Sequence, residues 1–172
     1  MAKELMWVCA LLPEELNQHL AALCKAENKT IGMPTNVFRF PLHISMKKSF
    51  QTTAFESVKA EILHHIQLHG EISCQTANVT CHKKMLWLPV NPARAILDWH
   101  NSLDARLLDK FGIPIDRFDA NFAPHISLFT KGNQTQLEEM RLRLAEKISP
   151  MELTLHRFVI GSSLHGDAFF TV

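Results

Sequence analysis

Two of the ten histidines in this 172-residue chain stand in the same setting. "PLHISM" and "APHISLF" each carry a proline just ahead of a His-Ile-Ser tripeptide: His43, Ile44 and Ser45 in one, His125, Ile126 and Ser127 in the other. The histidines lie 82 positions apart, close to half the chain. Imidazole titrates near neutrality, so one ring can accept a proton while a second releases one. A hydroxyl beside each ring can donate a hydrogen bond to negative charge that gathers in a reaction. A matched pair of this kind offers acid–base catalysis, provided the chain brings the tripeptides together.

The tripeptide alone is weak, because about one His-x-Ser/Thr is expected by chance among so many histidines. A third copy, "WHNSLD" (His100, Asn101, Ser102), lies in a helix-patterned stretch, where residues two apart point in different directions. The other two lie in alternating stretches. A strand period of two puts His and Ser on one face and Ile on the other. The same alternation predicts that Lys47 joins His43 and Ser45, and that Phe129 joins His125 and Ser127. One half would add an ammonium to the shared surface and the other an aromatic ring. Pro41 and Pro124 suit the first residue or the edge of a strand. Arg39 joins this face only if its strand extends back past Pro41.

The elements that must position these residues repeat. "LMWVCALL" reads as a buried strand, and "PEELNQHLAALCKAEN" as a helix with Pro at its start and acids in its first turn. "FPLHISMKKSF" reads as a strand. "AFESVKAEILHHIQLHG" reads as a helix with Phe55, Val58, Ile62 and Ile66 on one face, stopped by Gly70, and "EISCQTANVTCHK" as a strand. The second half gives strand "KMLWLPV", a helix from Pro92 to Gly112, strand "NFAPHISLFTK", helix "TQLEEMRLRLAEKI" and strand "MELTLHRFVIGSS". Both halves are βαβαβ with the tripeptide in the middle strand, as internal duplication predicts. The expected fold is α+β: one bilobal domain over 1–172, its halves 1–83 and 84–172 forming pseudo-symmetric lobes of antiparallel-rich sheet with outer helices around a central groove.

Two His-Φ-Ser/Thr-Φ motifs (Φ apolar), one per lobe and roughly eighty residues apart, resemble the 2H phosphoesterase superfamily. Within it the chain is most similar to the bacterial 2′-5′ RNA ligase and RNA cyclic phosphodiesterase group, through "PLHISMK", "FAPHISLFTKG" and the intervening "LWLPVNPARAILDWHNSL". The resemblance implies that His43 and His125 are the catalytic pair and that Ser45 and Ser127 bind phosphate. It implies a metal-independent phosphodiesterase with no cofactor, hydrolysing an RNA-type 2′,3′-cyclic phosphate to a 2′-phosphate, with 2′-5′ ligation as a reversible counterpart. Lys47 would then supply phosphate-binding charge and Phe129 a stacking face for a nucleobase. Rival readings are a phosphodiesterase for 2′-5′ oligonucleotides or cyclic nucleotides, and an RNA-binding module without turnover.

Composition narrows the partners. A formal net charge of +1 rules out a broad basic coat, so RNA or a small nucleotide must be held locally, around a cleft. No run nears the roughly 18 apolar residues of a membrane span, so no membrane partner is expected. The four cysteines form no C-x-x-C pair and read as reduced thiols of a cytoplasmic protein, expected to be a monomer. His65 and His69 have helical metal-ligand spacing but lack the glutamate of a zinc protease motif; they read as an exposed helix face. Cys81-His82 beside Cys74 lacks zinc spacing, and His156, on the last strand, faces the groove or solvent. No P-loop and no G-x-G-x-x-G is present.

Overall fold

The computed structural model describes residues 3–91, 94–163 and 170–171. The first apolar run forms β1 (Glu4–Leu11), with Met6, Val8 and Ala10 wholly buried on one side. Pro13 precedes α1 (Glu14–Glu27), whose first-turn acids Glu14 and Glu15 oppose the positive end of the helix dipole. A 3-10 turn at Asn36–Arg39 leads to β2 (His43–Thr52), then α2 (Phe55–His69), which ends at Gly70 with φ 59°. β3 (Ile72–Thr76), β4 (Thr80–His82) and β5 (Met85–Asn91) follow. α3 (Arg94–Phe111) comes next; the proline expected at its start, Pro92, lies outside the described residues. The chain closes with β6 (His125–Phe129), α4 (Gln134–Ala145), β7 (Glu152–Leu155), β8 (Arg157–Ser162) and β9 (Phe170–Thr171).

Every strand pair is antiparallel, in the order β7-β3-β5-β6-β2-β1-β8-β9, with β4 on β5. The expected pseudo-symmetry is visible in this order. β2 and β6, the motif strands, are neighbours; β1 flanks one and β5 the other. The third strand of each repeat crosses over, β3 to β5 and β8 to β1, so the two lobes interlock.

Two strand expectations need correcting. "EISCQTANVTCHK" is broken into β3 and β4. "MELTLHRFVIGSS" breaks at the exposed His156, which sits in neither strand. The pieces on either side pair with β3 and with β1, far apart in the strand order. With one residue between them, the sheet must curl until these two regions meet. The curl makes the concave face a groove.

Helices cover the convex face. Ile62 and Ile66 of α2 and Ile96, Trp99, Leu103 and Leu107 of α3 are buried in the core, with Trp99 stacked on Phe158 at 5.2 Å between centroids. His65, expected on an exposed face, is wholly buried: one ring nitrogen bonds the Trp99 carbonyl at 3.0 Å, and the ring meets the Trp99 indole edge-on. The hydrogen bond and ring contacts offset its desolvation.

Candidate active site

β2 and β6 meet at one residue pair, Ile44 opposite Ile126, both wholly buried on the helix side. Alternation then turns the flanking residues into the groove. Counting outward in antiparallel register, His43 faces Ser127 across the seam and Ser45 faces His125. Each histidine is thus opposite the other motif's hydroxyl. The two rings lie on a cross-strand diagonal of roughly 7–8 Å between backbones, which leaves room for a tetrahedral anion.

Each ring is held in the same way. His43 Nδ1 lies 2.9 Å from the carbonyl oxygen of Pro41, and His125 Nδ1 lies 2.8 Å from that of Ala123. A carbonyl only accepts, so each Nδ1 carries hydrogen. In the neutral ring, Nε2 is left with its lone pair free for proton transfer. The bond reaches back two residues in both motifs, to the turn that precedes each strand. His43, His125 and Ser127 are half-buried, and Ser45 is exposed.

Burial pushes the His125 ring below the ordinary histidine range. The Ala123 carbonyl opposes this, while the charges of His82 and His43 deepen it. His125 is therefore biased toward the neutral form.

Lys47 and Phe129 do not share the groove face, and both fail for one reason. β1 pairs Cys9 with Ser45 but Val8 with Lys47, so Met46 is an extra residue on β2. β5 pairs Trp87 with Ser127 but Leu86 with Phe129, so Leu128 is an extra residue on β6. Each motif strand carries a β-bulge directly after its serine, and the bulge rotates the next side chains to the core side. Lys47 is only 2% exposed and ion-paired with Asp104 at 2.8 Å and Asp119 at 2.5 Å. Phe129 is wholly buried and meets Phe38 edge-on at 5.4 Å. Neither can touch a ligand in the groove.

Other residues take those positions. Trp87 faces the groove beside Ser127, its indole stacked on His125 at 3.7 Å and 14° on one side. On the other side it stacks on the exposed His82 at 4.0 Å and 13°. Arg157 pairs with Leu11, which in turn pairs with His43, so its guanidinium leaves the sheet on the groove face. It makes no hydrogen bond or ion pair among the described residues. Both could have been found by continuing the alternation through "KMLWLPV" and "LHRFVIG". Cys9, opposite Ser45, is not a nucleophile: burial pushes its thiol up to about 12. The four cysteines are all free, and among the described residues no helix is long and apolar enough to cross a membrane. Arg39 lies in the 3-10 turn, outside β2.

No protein-family model matches the chain, and no curated protein matches its sequence. Solved structures do match. E. coli LigT complexed with phosphate aligns at a TM-score of 0.60 and 14% identity, over 100% of this chain and 95% of that one. TT0787 of Thermus thermophilus aligns at 0.58 and 17% identity, over 98% and 94%. Usb1 of Kluyveromyces marxianus aligns at 0.52 and 13% identity, over 98% and 96%. LigT has also been solved with NADP+ and with 3′-AMP. This chain shares their fold along its whole length.

Proposed function

We propose that this protein is a 2H-type phosphodiesterase that opens a 2′,3′-cyclic phosphate at the end of an RNA to give a 2′-phosphate. The observation that carries the reading is the pair of equivalent imidazoles, each with Nδ1–H tied to a carbonyl two residues back and Nε2 left free. In-line displacement at phosphorus needs a base on one side and an acid on the other, and two motif strands flanking the seam supply that arrangement. His125, biased neutral by burial, takes the proton of the attacking water. His43 donates a proton to the departing 3′ oxygen. Ser45 and Ser127 donate hydrogen bonds to the non-bridging oxygens, where charge accumulates, and Arg157 supplies the fixed positive charge that Lys47 cannot. A ribose 5′-hydroxyl in place of water would yield a 2′-5′ linkage by the same proton transfers. The solved complexes of LigT with phosphate and 3′-AMP support a nucleotide-sized ligand here.

The test is turnover of a 2′,3′-cyclic nucleotide in excess EDTA by the wild type and by His43→Ala and His125→Ala. Each substitution should cost about 10²–10⁴-fold. Activity lost to EDTA, or retained by either variant, sinks the two-histidine mechanism. A panel of cyclic, 2′-5′-linked and 3′-5′-linked substrates separates this reading from a 2′-5′ oligonucleotide or cyclic-nucleotide phosphodiesterase, and no turnover of any of them would leave an RNA-binding module.

A further inference from the structure

Beneath the groove, on the core side of the first bulge, four ionisable side chains are buried together. They are Lys47 of β2, His100 and Asp104 of α3, and Asp119 of the loop that leads into the second motif, with exposures of 2%, 1%, 3% and 7%. His100, Asp104 and Asp119 converge closely enough to suggest a metal site. The Lys47 ammonium already sits against both carboxylates, at 2.8 and 2.5 Å, and fills the cation's place.

The hydrogen bonds of His100 show what the cluster joins. Its Nδ1 donates to the carbonyl of Met46, the extra residue of the first bulge, at 2.7 Å. Its Nε2 lies 3.2 Å from the carbonyl of Asp119 and 3.4 Å from a carboxylate oxygen of Asp104. One imidazole thus touches the first motif strand and the approach to the second. Its ring also lies flat on Phe122, at 3.9 Å and 14°. The next residue is Ala123, whose carbonyl fixes His125. Within the loop, Asp116 accepts from the backbone N–H groups of Phe118 and Asp119, and Asp119 accepts from that of Asp116.

We propose that His100, Lys47, Asp104 and Asp119 form a buried positioning clamp that sets the Ala123 carbonyl, and through it the orientation of His125, relative to the strand carrying His43. The proposal rests on the reading of His125 as a catalytic group. The clamp itself touches no substrate. A buried ionic cluster is a poor source of stability, because desolvation cancels much of the attraction, but it specifies one geometry. Here it links two segments whose sheet pairing is a single residue pair.

The experiment compares the wild type with His100→Asn, Asp119→Asn and Lys47→Met, each checked for a cooperative melt above the assay temperature. One readout is independent of turnover: two-dimensional ¹H–¹⁵N spectra of the His125 ring. The wild type should show the Nδ1–H form alone, and the folded clamp variants a mixture of tautomers. The second readout is kinetic, on a 2′,3′-cyclic nucleotide. In the clamp variants kcat should fall by about 10-fold or more, the scale expected of a misplaced catalytic group, with KM changed by less than about two-fold. Arg143→Gln, a half-buried change on α4 whose partners include Thr30 and Glu139, should alter neither. Asparagine is the smaller perturbation at both positions, so those variants decide the matter if Lys47→Met does not fold. A wild-type His125 spectrum in folded His100→Asn and Asp119→Asn overturns the clamp, as does Mn²⁺ broadening of the His100 resonances. If the wild type turns over no phosphodiester, the functional reading fails and the spectra still decide the clamp.

Discussion

The indole of Trp87 lies flat on the imidazole of His125, centroids 3.7 Å apart and planes 14° from parallel. His82 covers the opposite face of the same indole. The His125 ring is thus fixed at its edge by the Ala123 carbonyl and on one face by an aromatic shelf. Replacing Trp87 by Leu should free the ring to rock about its remaining anchor. We expect kcat to drop by about 10–100-fold with little change in KM, since a slightly misaligned base loses most of its advantage. Unchanged kcat would remove Trp87 from the positioning of His125.

The outer member of the stack tunes the inner one. The charge of His82 depresses protonation at His125, so deleting it should raise the pKa of that ring. The acid limb of the rate profile, which reports the base becoming protonated, should move to higher pH in His82→Ala. The profile itself should be bell-shaped, with the acid limb of the wild type below the ordinary histidine value of about 6.5. An acid limb unmoved in His82→Ala would show that His125 is not the titrating base.

Arg157 is a cation that the register places on the groove face in line with His43, one strand removed across Leu11. Arg157→Gln should weaken binding of inorganic phosphate and raise KM by about 10-fold, the scale of one charge-assisted hydrogen bond. The salt dependence of KM should flatten with it. Equal phosphate affinity in the variant, by titration calorimetry, would move the phosphate elsewhere.

His65 makes stability depend on acid. One nitrogen bonds Trp99, and the other, Nδ1, is buried with no partner. Desolvation holds its pKa down to about 4, with the charge of His69 adding to the depression. In the unfolded chain the ring titrates near 6.5, so below that pH the unfolded state binds the extra proton. Stability from this group is complete above about pH 6.5 and is lost as pH falls toward 4, by about 3 kcal/mol in all. His65→Phe keeps a ring against Trp99 and should flatten the melting temperature over that interval. An equally steep decline in the variant would place the acid sensitivity elsewhere.

Gly161 of β8 is directly opposite Trp7 of β1. A β-carbon at Gly161 would fall inside the Trp7 indole, so the ring packs on bare backbone. Gly161→Ala should force the indole to move, costing about 1–3 kcal/mol, and should shift the Trp7 indole N–H resonance. An unshifted resonance would mean that the backbone yields instead.

Much of this was legible in the sequence. Helix periodicity placed Val58, Ile62 and Ile66 inward on α2, and strand alternation placed both His-Ile-Ser tripeptides with histidine and serine on one face. Alternation failed two residues after each serine. A bulge is a mismatch in count between paired strands, and neither strand shows it alone: Met46 is surplus only against Val8 and Cys9, and Leu128 only against Leu86 and Trp87. The break at His156 was hidden for a similar reason, since an unbroken β pattern can serve two different neighbours. The helical setting of its tripeptide hides His100 from the strand pattern. The overlooked signal was Asp104 four residues later, among Ile96, Trp99, Leu103 and Leu107, where two polar groups on an apolar stripe must satisfy each other or something nearby.

The single Ile44–Ile126 pair, finally, makes the middle of the sheet its narrowest join. Each half of the site rides on a broad, well-laddered raft, β1 with β8 on one side and β5 on the other. The imidazoles of His43 and His125 stand on opposite banks of that join, like letters printed across a book's spine. That one pair therefore sets the spacing between the two rings.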